Sequence, residues 1–279
     1  MWILKKPDLT EAKKDIKVVV RHCNSLDDDD SVLLEQLYDD YNNGGGEVTR
    51  QQLLPLESKK EVIKQQYAKT IGKLSGRCQD NHLAYMRTDL LHGVHKCPYC
   101  SINEPEQLDH YMDKSRYGQL AVCRLNLVPL CCKCNNSKRD LTYLDFVHPY
   151  YQSFPDADIL VADCKIVRNN VVVSWGIDRD VLGDEELADR IESQMEHVQL
   201  LPRLQKAMIE FLSQSFGSFN GSEDDELKEC LGLLLRSTLS CYGRNDWRTA
   251  LIRGLIICPQ FDVRVVEEMK QRHVNGVGA

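Results

Sequence analysis

Two cysteine pairs, Cys97-Pro-Tyr-Cys100 and Cys131-Cys-Lys-Cys134, stand 30 residues apart in a chain of 279 residues. Two residues between thiols let both sulfurs of a tight turn reach one ion. Two such turns supply the four ligands of a tetrahedral Zn2+ at about 2.3 Å. The spacing thus points to structural zinc held by Cys97, Cys100, Cys131 and Cys134, stapling the ends of a small inserted unit. Such a site contributes folding free energy directly, because the unfolded chain has no preformed ligand geometry. Cys132 offers a competing register, although Cys-x-Cys strains a shared tetrahedron. His92 and His95 are near enough in sequence to serve as substitute ligands. A redox Cys-x-x-Cys is the other use of such a pair, and it needs no second copy.

Within the staple run Leu108-Asp109-His110-Tyr111, then Asn126-Leu127-Val128-Pro129-Leu130-Cys131, then Cys134-Asn135-Asn136-Ser137-Lys138. Asp109 offers a hard carboxylate oxygen, Asn135 an amide oxygen and His110 an imidazole. The two oxygens suit Mg2+ or Mn2+ rather than zinc. Neighbours on a strand point to opposite faces, which suits a division of labour: the carboxylate binds metal and the imidazole activates water.

Asp-His, followed by Asn-Leu-x-Pro-x-Cys-x-x-Cys-Asn-x-x-Lys and framed by an earlier Cys-x-x-Cys, resembles the HNH (His-Me finger, ββα-metal) endonuclease family over about 44 residues, Cys97 to Asp140. The resemblance implies a first strand over Gln107 to Tyr111, a second around Asn126 to Pro129 and a helix from Asn135 to about Phe146. It implies a catalytic metal on Asp109 and Asn135 and a general base at His110, with Asn126 steadying the loop and the imidazole. Asn135 stands where the name-giving pattern has a second His, which bears on metal preference. Lys138 and Arg139, on the first turn of that helix, are candidates to hold flanking phosphates. The implied activity is single-metal phosphodiester hydrolysis of nucleic acid, DNA favoured over RNA. A zinc-stabilised module that binds nucleic acid without cutting is the alternative. His148-Pro149-Tyr150-Tyr151 and Gly243-Arg244-Asn245-Asp246-Trp247 resemble features of a longer bacterial type, some members of which work beside an ATPase partner in anti-phage systems such as Septu.

These residues need elements to position them. Ile63, Tyr67, Ile71 and Leu74 recur at helical spacing and predict an amphipathic helix over Lys59 to Leu74; Asn81 to Leu91 reads as another. Before them, residues 1–58 show little periodicity, with an acidic run Asp27 to Asp30, a short helix over Ser31 to Tyr41 and a Gly44-Gly45-Gly46 turn. After the motif, Ile159 to Val167 and Val171 to Ile177 predict a hairpin. Asp184 to Arg272 reads as helical, broken near Gly217 to Gly221 and at Pro259, with Leu227, Leu231, Leu234, Leu235 and Leu239 as a core stripe. The expected organisation is α+β: a zinc-stapled ββα-metal unit (59–150) between an N-terminal helical and loop region (1–58) and a C-terminal hairpin plus helices (151–279).

Composition sets the class. Hydrophobic residues are 42% and charged residues 28%, the balance of a globular chain. No run approaches the ~18 apolar residues of a membrane helix. The opening Met-Trp-Ile-Leu-Lys-Lys-Pro-Asp holds a four-residue apolar stub, so a cytoplasmic protein without secretory signal is expected. Twelve cysteines then suggest metal binding and buried thiols rather than disulfides. The net charge is −7 overall, yet Lys59 to Asp140 carries 14 Lys/Arg against 8 Asp/Glu, a local +6 that leaves −13 elsewhere. A basic segment in an acidic chain fits a local polyanion site.

Overall fold

The computed structural model describes residues 3–71, 82–138 and 141–277. The architecture is α+β: mostly helical, with two separate two-stranded antiparallel sheets. The chain divides into two compact units, Trp2–Ser153 and Phe154–Ala279.

In the first unit the segment before residue 59 is more regular than its weak periodicity suggests. Helix α1 (Leu9–Arg21) starts on Asp8, whose carboxylate accepts the Thr10 amide at 2.7 Å, and buries Ala12, Ile16 and Val19. Helix α2 (Asp28–Asn43) begins three residues before Ser31 because the acidic run is its N-terminus. Asp27 and Asp30 accept each other's amides at 2.9 and 3.1 Å as a capping box, and the carboxylates face the positive end of the helix dipole. Leu34, Leu37, Tyr38 and Tyr41 form its buried side. Helix α3 (Arg50–Leu53) leads through a 3-10 turn to α4 (Lys60–Thr70), which buries Ile63 and Tyr67. Leu74, Cys78 and Asn81 lie outside the described residues; helix α5 spans Ala84–Leu91.

Strands β1 (Gln107–His110) and β2 (Leu127–Leu130) pair antiparallel, Gln107 opposite Leu130 and His110 opposite Leu127. Asn126 sits just before β2, in a 3-10 turn. Helix α6 spans Cys132–Lys138, three residues earlier than the Asn135 start expected, and Tyr143–Asp145 is a 3-10 turn, capped by Thr142, rather than more helix. The cause is local: the Asn135 amide bonds the Cys131 carbonyl at 3.0 Å, so the second cysteine turn is itself the first helical turn. A buried bidentate pair ties α1 to the 3-10 turn that precedes β2. Arg124 donates to Asp15 at 2.6 and 2.9 Å, and the Tyr85 hydroxyl adds a third bond to that carboxylate.

The second unit opens with β3 (Leu160–Val167) and β4 (Asn170–Ile177). Their turn is the two residues Arg168 and Asn169, both at positive φ (49° and 57°), the mirror-type turn that matches strand twist; Asn170 already belongs to β4. Helices α7 (Arg179–Leu182), α8 (Glu185–His197), α9 (Leu200–Phe216), α10 (Asp224–Tyr242), α11 (Trp247–Ile257) and α12 (Val263–Val277) follow. Trp247 is core at 3% exposure. The leucine stripe is core only over its first half. Leu227 and Leu231 are buried, Leu234 and Leu235 half-buried and Leu239 exposed. Helix α11 lies so close to β3 that a Cβ on Gly254 would run into the Ala162 carbonyl. Among the described residues no helix is long and apolar enough to cross a membrane.

Candidate metal centre and catalytic site

The four paired cysteines converge. Their sulfurs all lie within 4.8 Å of one another, and all four residues are buried. A zinc tetrahedron with 2.3 Å bonds has S···S edges of about 3.8 Å, and Cys100 Sγ stands 3.8 Å from Cys131 Sγ. The first turn is closed by Ser101 N to Cys97 O (2.8 Å) and Cys97 N to Asn103 O (2.9 Å), with Ser101 itself in the left-handed region at φ 52°. Hydrogen bonds from Cys131, Cys134 and Cys97 hold the Cys100 thiol well below its ordinary range, whereas burial pushes Cys97 up. All-sulfur donors packed at this spacing are a site for a structural metal ion such as zinc. Cys132, half-buried, accepts from Asn136 Nδ2 at 3.3 Å and is not among the four; His92 and His95 are exposed.

Beside this cluster, β1 alternates in burial. Gln107 and Asp109 face one side, Leu108 and His110 the other. The Gln107–Asp109 side meets α6. Asn135 donates from Nδ2 to Gln107 Oε1, and one turn on, Lys138 Nζ bonds Asp109 Oδ2 at 2.7 Å. Asp109 and Asn135 are thus brought to the same side of the strand, with the amide oxygen of Asn135 on the arm not bonded to Gln107. Burial raises the Asp109 carboxyl above its ordinary value, opposed by the Lys138 charge.

Lys138 is not on the surface. It is 4% exposed, and its ammonium is spent on Asp109, the His110 carbonyl (2.6 Å) and the Tyr111 carbonyl (3.0 Å). An inward lysine with three short bonds ties α6 to the end of β1 instead of reaching for phosphate. Arg139, the other basic candidate, lies outside the described residues.

His110 is on the opposite side of the strand from Asp109 and Asn135, and 4% exposed. Its Nε2 meets the Ala121 carbonyl at 2.9 Å, so Nε2 carries the proton and Nδ1 keeps its lone pair. The Tyr67 ring packs edge-on at 4.4 Å. Burial pushes the imidazole down to about 3, and the Lys114 and Lys138 charges push the same way, so the ring is neutral near pH 7.

Asn126 is wholly buried and joins both ends of the loop after β1. Its Nδ2 donates to the Met112 carbonyl (3.0 Å) and the Leu120 carbonyl (3.4 Å), while Oδ1 accepts the Met112 amide (2.8 Å). Its part is positional: its partner Leu120 is the neighbour of Ala121, whose carbonyl orients His110. Three side chains that the sequence reading did not assign to this site join it: Gln107 on Asn135, and Tyr41 from α2, which bonds Asn126 Oδ1 at 3.1 Å and the third, His148, at Nε2 at 3.0 Å. Gln107 was within reach of strand alternation, two residues from Asp109. Tyr41 carries no local signal.

Among known proteins, no family model matches the chain, and no solved structure matches it. A stretch of 78 residues is 31% identical to Protein ea31 of Escherichia phage lambda. It covers 27% of this chain and 26% of that protein, so the chain spans about a quarter of the length of the curated relative it matches.

Proposed function

We propose that the chain is a metal-dependent HNH endonuclease that hydrolyses phosphodiester bonds in nucleic acid, with DNA favoured over RNA. The observation that carries the reading is the end of β1. There a carboxylate that shares its side with an amide, Asp109 with Asn135, is followed by an imidazole whose proton is fixed on Nε2. A mere binding module needs none of the three.

The work of each residue follows from its surroundings. His110 is neutral and presents Nδ1 as the basic nitrogen, so it takes a proton from the water whose oxygen attacks phosphorus. The bond from phosphorus to the 3′ oxygen breaks as the new bond forms. Ala121 and Asn126 keep the ring from turning its protonated nitrogen toward that water. Asp109 and Asn135 would hold Mg2+ or Mn2+, which when bound supplies positive charge at the scissile phosphate and the departing 3′ oxygen. Lys138 holds Asp109 in place. The cysteine cluster, with zinc as its ion, fixes the start of α6 and hence Asn135.

A plasmid-nicking assay with Mg2+, Mn2+ or EDTA tests this reading. Relaxed plasmid that forms with either ion, disappears with EDTA and is not produced by Asp109→Ala is the expected result. Plasmid bound by the zinc-loaded chain but cut under none of these conditions overturns it in favour of a binding module. Cleavage that appears only on adding an ATPase partner assigns the chain as the nuclease subunit of an anti-phage pair.

A further inference from the structure

From outside the ββα unit, a buried polar chain runs into the loop between β1 and β2, and every donor in it can be assigned. The Tyr150 amide donates to His148 Nδ1 at 3.2 Å, so Nε2 of that neutral ring bears the proton. Nε2 lies 3.0 Å from the Tyr41 hydroxyl oxygen, and the Tyr41 hydroxyl donates to Asn126 Oδ1 at 3.1 Å. Asn126 in turn donates to Leu120, whose neighbour Ala121 holds His110. Tyr41 and Asn126 are wholly buried and His148 is 4% exposed, so water cannot substitute for a missing partner.

A second feature builds the same contact. Helix α2 ends in Gly44-Gly45-Gly46, and Gly46 sits at φ +92° directly against the His148 ring. A Cβ there would collide with Cδ2 and Nε2. The turn that follows Tyr41 is therefore shaped to let His148 approach it. Tyr111, one residue beyond His110, packs against the His148 ring at 4.0 Å between centroids, tilted by 39°.

We infer that His148 and Tyr41 are positioning residues for the imidazole of His110: they fix Asn126, Asn126 fixes the loop from Met112 to Ala121, and the loop sets which nitrogen of His110 faces the reacting water. The inference rests on His110 acting as the base. It makes residues 41 and 148, both outside the Cys97–Asp140 motif, part of the working site.

Single-turnover cleavage and 15N-histidine NMR of the full zinc-loaded chain test it together. Tyr41→Phe removes one hydroxyl and leaves the ring. It is expected to lower kcat by about ten- to a hundredfold, the scale of a small misplacement, with KM changed by less than about twofold. The His110 nitrogens should move from a single Nε2-protonated form toward a mixture of tautomers. His148→Leu should do the same, and His148→Gln, whose amide can donate to Tyr41, should recover much of the loss. His148→Leu decides the matter should Tyr41→Phe not fold. Wild-type kcat and an unchanged His110 spectrum in the folded variants overturn the inference, as does a loss confined to KM. If the wild-type chain cuts nothing, the proposed activity fails, and the His110 spectrum alone still decides the positioning claim.

Discussion

His148 is packed among Tyr41, Tyr111, Tyr150 and Tyr151, and burial, followed by the nearby Lys138 charge, holds its imidazole well below the ordinary 6.5. The unfolded chain binds a proton at this residue below about pH 6.5 and the folded chain does not. Its contribution to stability is therefore complete above that pH and shrinks as pH falls toward the folded value. Urea midpoints should fall between about pH 7.5 and pH 5, and fall less in His148→Gln, which has no group to protonate; equal pH dependence in the two proteins contradicts this. The sequence marks His148 within His148-Pro149-Tyr150-Tyr151, but its contact with Tyr41 was not legible in the chain. Asp109, His110, Asn126, Asn135 and the four thiols sit within one short stretch, and their residue types and spacing suggest the chemistry proposed for them. Tyr41 reaches His148 across 107 residues and Asn126 across 85, and a tyrosine on an apolar helix face carries no mark of the polar partner it will meet.

Helix α6 is only seven residues long, too short to be stable by its own hydrogen bonds, and it is held at both ends by side-chain chemistry. At its start are Cys131 and Cys134; at its end is the Lys138–Asp109 pair. Breaking a buried ion pair from one side leaves the other charge uncompensated. Lys138→Met is expected to cost about 3 kcal/mol by urea denaturation. A lysine on phosphate would instead lower the slope of log affinity against log salt by about 1. With a fluorescent duplex, Lys138→Met should leave that slope as it is, and a shallower slope would return Lys138 to the nucleic-acid contacts. Periodicity misjudged the elements where polar residues make them. The run Asp27–Asp30 looks like a loop by hydropathy and is a helix start by capping. Likewise the second cysteine turn looks like a knuckle and is the first turn of α6. The β3–β4 hairpin and α4, whose apolar spacing is regular, were legible to within a few residues.

Charge is divided between the two units. Residues 1–153 hold 21 Lys/Arg and 21 Asp/Glu, so the net −7 belongs to residues 154–279, with 14 against 21. On the proposed function, the polyanion would meet not the acidic second unit but the basic stretch Lys59 to Asp140 of the first unit, where the candidate site lies. That unit also holds all four thiols. Structural zinc binds with an apparent ~10–16 kcal/mol, as large as the ~5–15 kcal/mol that stabilises a whole domain. A strong chelator should therefore unfold Trp2–Ser153 and leave the helices of Phe154–Ala279 folded. Circular dichroism should show a partial loss, with new protease cuts before residue 153; an unchanged spectrum contradicts a structural ion. The most direct test of the nuclease reading compares wild type and His110→Ala at equal zinc content on plasmid DNA with Mg2+, under single-turnover conditions. Loss of the general base should slow cleavage by about 10²–10⁴ with the fold unchanged. Cleavage by His110→Ala at the wild-type rate contradicts it.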